Sequence, residues 1–81
     1  MSESYNFNKI LKNLNILYIE DEKNIRLNIK KTLELFCENV FDAENILNAK
    51  EILTKQRIDI IISDINLPDM SGIDFVKEIR I

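Results

Sequence analysis

Residues 60–72 read IIISDINLPDMSG. An apolar run, Ile60 to Ile62, leads into the carboxylate of Asp64, and Pro68 and Gly72 follow close behind. The run has strand character, and the proline and glycine mark a turn beyond it. A charge is costly to bury without a partner. A lone carboxylate where a buried strand gives way to a turn therefore asks what faces it.

The rest of the chain sets the bounds. It has 81 residues, of which 46% are hydrophobic and 31% charged, which suits one small globular domain. The net charge is −3 and the basic residues are scattered or paired, as in Lys30-Lys31. No face concentrates Lys and Arg, so nucleic acid is not expected as a partner of this segment. The sequence holds no histidine, which excludes histidine-based catalysis and histidine metal ligands within it. Cys37 is the sole cysteine, so no internal disulfide forms, and a buried reduced thiol is expected. No apolar run approaches the roughly 20 residues that span a bilayer. The first residues, MSESYNFNKILK, lack a signal-peptide layout. A soluble cytoplasmic protein is the expectation.

Working outward from Asp64, strands and helices alternate. Residues 1–14 form an N-terminal extension in which Phe7, Ile10, Leu11 and Leu14 have helix-like spacing. Asn15 to Ile19, NILYI, reads as a buried strand that stops at Glu20-Asp21-Glu22. From Glu22 to Phe36, Ile25, Ile29, Leu33 and Phe36 recur every three or four residues, which predicts an amphipathic helix with those four inward. Asn39 to Ala43 is a short strand, and Asn45 to Lys55 a helix with Ala49, Ile52 and Leu53 inward. Ile58 to Ser63 is a strand apolar on both faces. Ser71 to Ile79 is a helix, with Ser71 and Asp74 as a capping box and Ile73, Phe75, Val76 and Ile79 on its apolar side. The order β-α-β-α-β-α with apolar strands implies an α/β parallel sheet covered by helices.

Sites in such sheets form at the carboxyl ends of the strands. Glu20 and Asp21 end the first strand, and Asp64 ends the third. If those strands are neighbours, three carboxylates meet and repel, and a small hard cation such as Mg²⁺ would offset them. The plainer alternative is that the acids open a solvated helix and that Asp64 is an ordinary turn residue.

Taken together, "LYIEDE" before a helix and "DIIISDINLPDMSG" after it resemble the receiver domain of two-component response regulators. The resemblance implies a flavodoxin-like, doubly wound parallel sheet, of which residues 15–81 supply the N-terminal β-α-β-α-β-α portion. It implies that Asp64 is the phosphoacceptor, that Glu20 and Asp21 bind Mg²⁺ with Asp64, and that the backbone carbonyl of Asn66 completes the protein ligands. Leu67, Pro68 and Gly72 would shape the loop, and Ser63 would be structural. Glu20 departs from the commoner aspartate, and Ile46 stands where many members carry glycine. The implied partner is a sensor histidine kinase or a phosphotransfer protein, and the implied role is acceptor rather than enzyme.

The chain stops at Arg80-Ile81, so the family's fourth and fifth strands, its hydroxyl residue and its lysine have no counterpart. A fragment impaired in signalling is the expectation. The third strand would then be a sheet edge, from which self-association is expected. Two other readings compete. One is a Mg²⁺-dependent phosphohydrolase of the haloacid dehalogenase type, which normally wants Asp-x-Asp where this chain has Asp64-Ile65-Asn66. The other is an inert interaction module.

Overall fold

The structure is a computed structural model, and it describes residues 11–79. Phe7 and Ile10 of the expected N-terminal turn lie outside the described residues. Three strands, β1 (Asn15–Ile19), β2 (Asn39–Ala43) and β3 (Ile60–Ser63), alternate with three helices, α1 (Lys23–Leu33), α2 (Ile46–Lys55) and α3 (Gly72–Ile79). The sheet is parallel throughout, in the order β2-β1-β3.

β1 is central, and its residues Ile16 to Ile19 are all buried. Alternation along the strands splits the core in two. Leu17, Ile19 and Ala43 point to one face, where they pack with Ile46 and Ala49 of α2 and Phe75 of α3. Ile16 and Val40 point to the other, with Cys37, and Leu33 of α1 and Leu11 lie against them. Helices therefore cover both faces, as a doubly wound sheet requires. At the amino ends of the strands, Asn15 ties the sheet together. Its N–H donates to Asp59 Oδ2 at 2.8 Å, its amide donates to the Arg57 carbonyl, and its Oδ1 accepts from Asn39.

The structure corrects details of three elements, α1, β3 and α3. α1 ends at Leu33, and the chain turns through Glu34–Phe36. Ile25 and Phe36, expected inward, are 48% and 56% exposed, and Ile29 is exposed as well. Among the described residues, only a three-stranded sheet lies beneath α1. Leu33 reaches the cluster, and Cys37 takes the place expected of Phe36. β3 begins at Ile60 rather than Ile58, and its two faces are unequal. Ile60 and Ile62 are 37% and 38% exposed, while Ile61 packs on the α2 and α3 side. Ile73 is 54% exposed, because Phe75 and Ile79, four residues apart, define the inward stripe of α3.

Charge joins α1 to the sheet. Asp42 of β2 accepts from Arg26 Nε at 3.2 Å and Lys30 Nζ at 3.0 Å. Burial alone pushes the Asp42 carboxyl up, but the bonds and charges of Lys30 and Arg26 outweigh it and hold the group below its ordinary value. No helix among the described residues is long and apolar enough to cross a membrane.

Two predictions follow from this packing. Phe75 is fully buried, so Phe75→Ala should cost about 3–5 kcal/mol and abolish cooperative thermal unfolding in so small a core. Circular dichroism melts would check it, and an unchanged melt would contradict it. Because Asp42's value is lowered on folding, its stabilising share is present above its unfolded value and lost as pH falls through the folded one. Asp42→Asn should therefore be less stable than wild type at pH 7, and the gap should close only as pH falls below the ordinary aspartate value and through the lowered folded one. Parallel urea-unfolding curves across pH would contradict this.

Candidate phosphoacceptor and metal site

Parallel pairing of β1 with β3 sets Ile19 opposite Ser63, so the next residues along, Glu20 and Asp64, emerge side by side. The Asp64 N–H donates to the Ile19 carbonyl at 3.1 Å, which fixes Asp64 at the sheet edge. On the other side, the Glu20 N–H donates to the Ala43 carbonyl at 3.0 Å. Residues 16, 18 and 20 of the first strand share the face of residues 60, 62 and 64 of the third by alternation.

Glu20, Asp21 and Asp64 each offer a carboxylate oxygen within 4.8 Å of the others. Glu20 and Asp64 are half-buried and Asp21 is exposed. The structure thus brings together the three acids singled out in the sequence. The third acid of the run, Glu22, turns away. It is the N-cap of α1, where its carboxylate accepts from Ile25 N at 2.7 Å and Asn24 N at 3.3 Å. Its own N–H donates to Glu20 Oε2 at 3.2 Å, which restrains the Glu20 side chain.

Asn66 lies in the loop after β3 and pairs with Ser71 in an isolated antiparallel bridge. Ser71 Oγ accepts from the Asp74 N–H at 3.1 Å, which is one of the two bonds of the expected capping box. Ser63 Oγ donates to the Asp64 carbonyl at 2.8 Å, so it shapes the strand end.

Several contributors escaped the sequence reading. Arg26 Nη1 donates to the Glu20 carbonyl at 3.0 Å while its Nε holds Asp42, so one guanidinium joins α1, β2 and the end of β1. The available signal was its spacing with Lys30, four residues on, which puts two cations on one helix face. Asp69 accepts from Ile46 N at 3.0 Å and Leu47 N at 3.1 Å, at the start of α2. Those bonds, led by the one from Ile46, hold its carboxyl below the ordinary value. Beneath the acids, burial and the charges of Glu20 and Asp64 push the Tyr18 phenol up.

The donor set fits a small hard dication. All three side chains offer oxygen, no sulfur or imidazole takes part, and their mutual repulsion is uncompensated by any cation bonded to those carboxylates among the described residues.

The family model for the response regulator receiver domain matches residues 16–81. The sporulation initiation phosphotransferase F of Bacillus subtilis is 32% identical over 69 residues, which are 85% of this chain and 56% of that protein. The chemotaxis protein CheY-3 of Vibrio cholerae is 37% identical over 70 residues, covering 85% of this chain and 54% of that one. The chain spans about half the length of the curated relatives it matches. A crystal structure of a response regulator receiver domain protein from Clostridium thermocellum superposes with a TM-score of 0.77 at 35% identity, over 84% of this chain and 56% of that one. The fold is thus flavodoxin-like, and β1, β2 and β3 form its parallel sheet among the described residues. By sequence and by fold, this chain belongs to the response regulator receiver domain family.

Proposed function

We propose that Asp64 accepts a phosphoryl group from a phosphohistidine of a sensor histidine kinase or phosphotransfer protein. The observation that carries this reading is the convergence of Glu20, Asp21 and Asp64 at the carboxyl edge of β1 and β3. In the transfer, an Asp64 carboxylate oxygen attacks phosphorus. An O–P bond forms, the P–N bond breaks, and its electron pair returns to the imidazole nitrogen. The product is an aspartyl phosphate on Asp64.

Glu20, Asp21, Asp64 and the Asn66 carbonyl would hold Mg²⁺. When bound, the ion offsets the negative charge shared by carboxylate and phosphoryl oxygens. The chain's own work is positional. The Ile19 carbonyl holds the Asp64 backbone, and Arg26 and Glu22 hold Glu20. The role is that of an acceptor, modified once per transfer, and a cytoplasmic location goes with such a donor.

The test is intact mass after incubation with a small-molecule phosphodonor and Mg²⁺. One phosphoryl mass should be gained, and it should vanish in Asp64→Ala and without Mg²⁺. No gain in wild type would contradict the reading, and steady release of phosphate from a simple monoester would favour a hydrolase instead.

We further propose that β3 mediates self-association. It pairs only with β1 among the described residues, and Ile60 and Ile62 are exposed along it. Open apolar edges recruit another strand. Light scattering after size exclusion should give a dimer that Ile62→Lys returns to monomer, and a monomeric wild type at high concentration would contradict this.

A further inference from the structure

We propose that Asp69 is a positioning residue of the phosphoacceptor loop, clipping the segment between β3 and α3 onto the first turn of α2. The proposal deepens the reading of Asp64 and rests on it.

The first N–H groups of a helix have no partner within it. In α2, Asn45 is the N-cap and its side chain accepts only from Asn48 N, at 2.8 Å. Ile46 N and Leu47 N are satisfied by Asp69, from 23 and 22 residues away. Each carboxylate oxygen takes one N–H, Oδ1 at 3.0 Å and Oδ2 at 3.1 Å. A two-pronged bond fixes orientation as well as distance, which a single bond cannot. The helix dipole further favours the negative charge there.

What the clip joins gives it meaning. The loop is pinched at its base by the Asn66–Ser71 bridge, and Asp69 stands between those two residues. One end of the loop is Asp64, bonded to the Ile19 carbonyl. The start of α2 follows closely on Ala43, whose carbonyl accepts from Glu20 N. Three hydrogen-bonded links, joined by the covalent chain, therefore close a ring from Glu20 to β2, along the chain to α2, through Asp69 to the loop, along it to Asp64, and back to β1. Asp69 is the hydrogen-bonded link from α2 to the loop, beside the packing of Leu67 and Met70 against the core. Opening it loosens the segment carrying Asn66, which the Asn66–Ser71 bridge and the packing of Leu67 and Met70 still tether, while leaving Glu20, Asp21 and Asp64 in place.

The experiment compares wild type, Asp69→Ala, Asp69→Asn and Asn45→Ala in the full 81-residue chain. Asn45→Ala removes the other cap of α2 without touching the loop. Amide hydrogen exchange by NMR reads the clip without metal, and Mg²⁺ titration of the Glu20, Asp21 and Asp64 amide shifts reads its consequence. Asp69→Ala should speed exchange at Ile46, Leu47 and the 65–71 loop and weaken Mg²⁺ binding about 10-fold, the range for residues that orient metal ligands, while Asn45→Ala changes binding less than about 2-fold. Asp69→Asn, which keeps one acceptor, should fall between and covers the case in which Asp69→Ala does not fold. Unchanged loop exchange in the Asp69 variants overturns the clip, as does an equal loss of Mg²⁺ affinity in Asn45→Ala. If wild type binds no Mg²⁺, the phosphoacceptor reading fails, and loop exchange alone upholds or overturns the clip.

Discussion

Parallel pairing of β1 with β3 is the constraint on which the site depends. A parallel register leaves the carboxyl ends of both strands at one edge, and this register sets Ile19 against Ser63. The residues that follow are both acidic, so Glu20 and Asp64 meet, with Asp21 beside them. Like charges this close are unfavourable wherever solvent does not fully screen them. Burial of all of Ile16 to Ile19 holds β1 in place against that repulsion. The fold in effect stores an electrostatic demand that a bound cation would relieve.

The surroundings hold the acids without neutralising them. Arg26 spends its guanidinium on the Glu20 carbonyl and on Asp42, and Lys30 is likewise engaged with Asp42. Glu22 spends its carboxylate on the start of α1. These three charged neighbours are thus committed to backbone or to another strand, and none of them neutralises the three carboxylates, of which Glu20 already accepts from the Glu22 N–H. The exposed pairs contribute little by comparison; Lys50 with Glu78 joins α2 to α3 across solvent.

Much of this was legible in the sequence, because the signals are local. NILYI and the isoleucines before Asp64 announce buried strands, and the acids that end them fall at the edge once the strands are parallel. Helix spacing located α1, α2 and α3 to within a few residues. It failed at Ile25, Ile29 and Phe36, because periodicity reports which side of a helix is apolar and not what covers it. It also missed Asp69, which reads as a turn acid beside Pro68. Its partners sit more than twenty residues upstream, and only the tertiary fold brings them together. Asp42 was equally opaque, since a carboxylate in a short strand gains its meaning from cations on a different element.

The central claim is that the three carboxylates act as one cation site. Its most direct test is the thermal midpoint of the chain as MgCl₂ is raised, against NaCl at matched ionic strength. A ligand that binds only the folded state raises the midpoint by mass action. The account predicts a rise with MgCl₂ beyond that with NaCl, lost in Asp21→Asn. The same response to both salts, or a Mg²⁺ response that survives in Asp21→Asn, would contradict it.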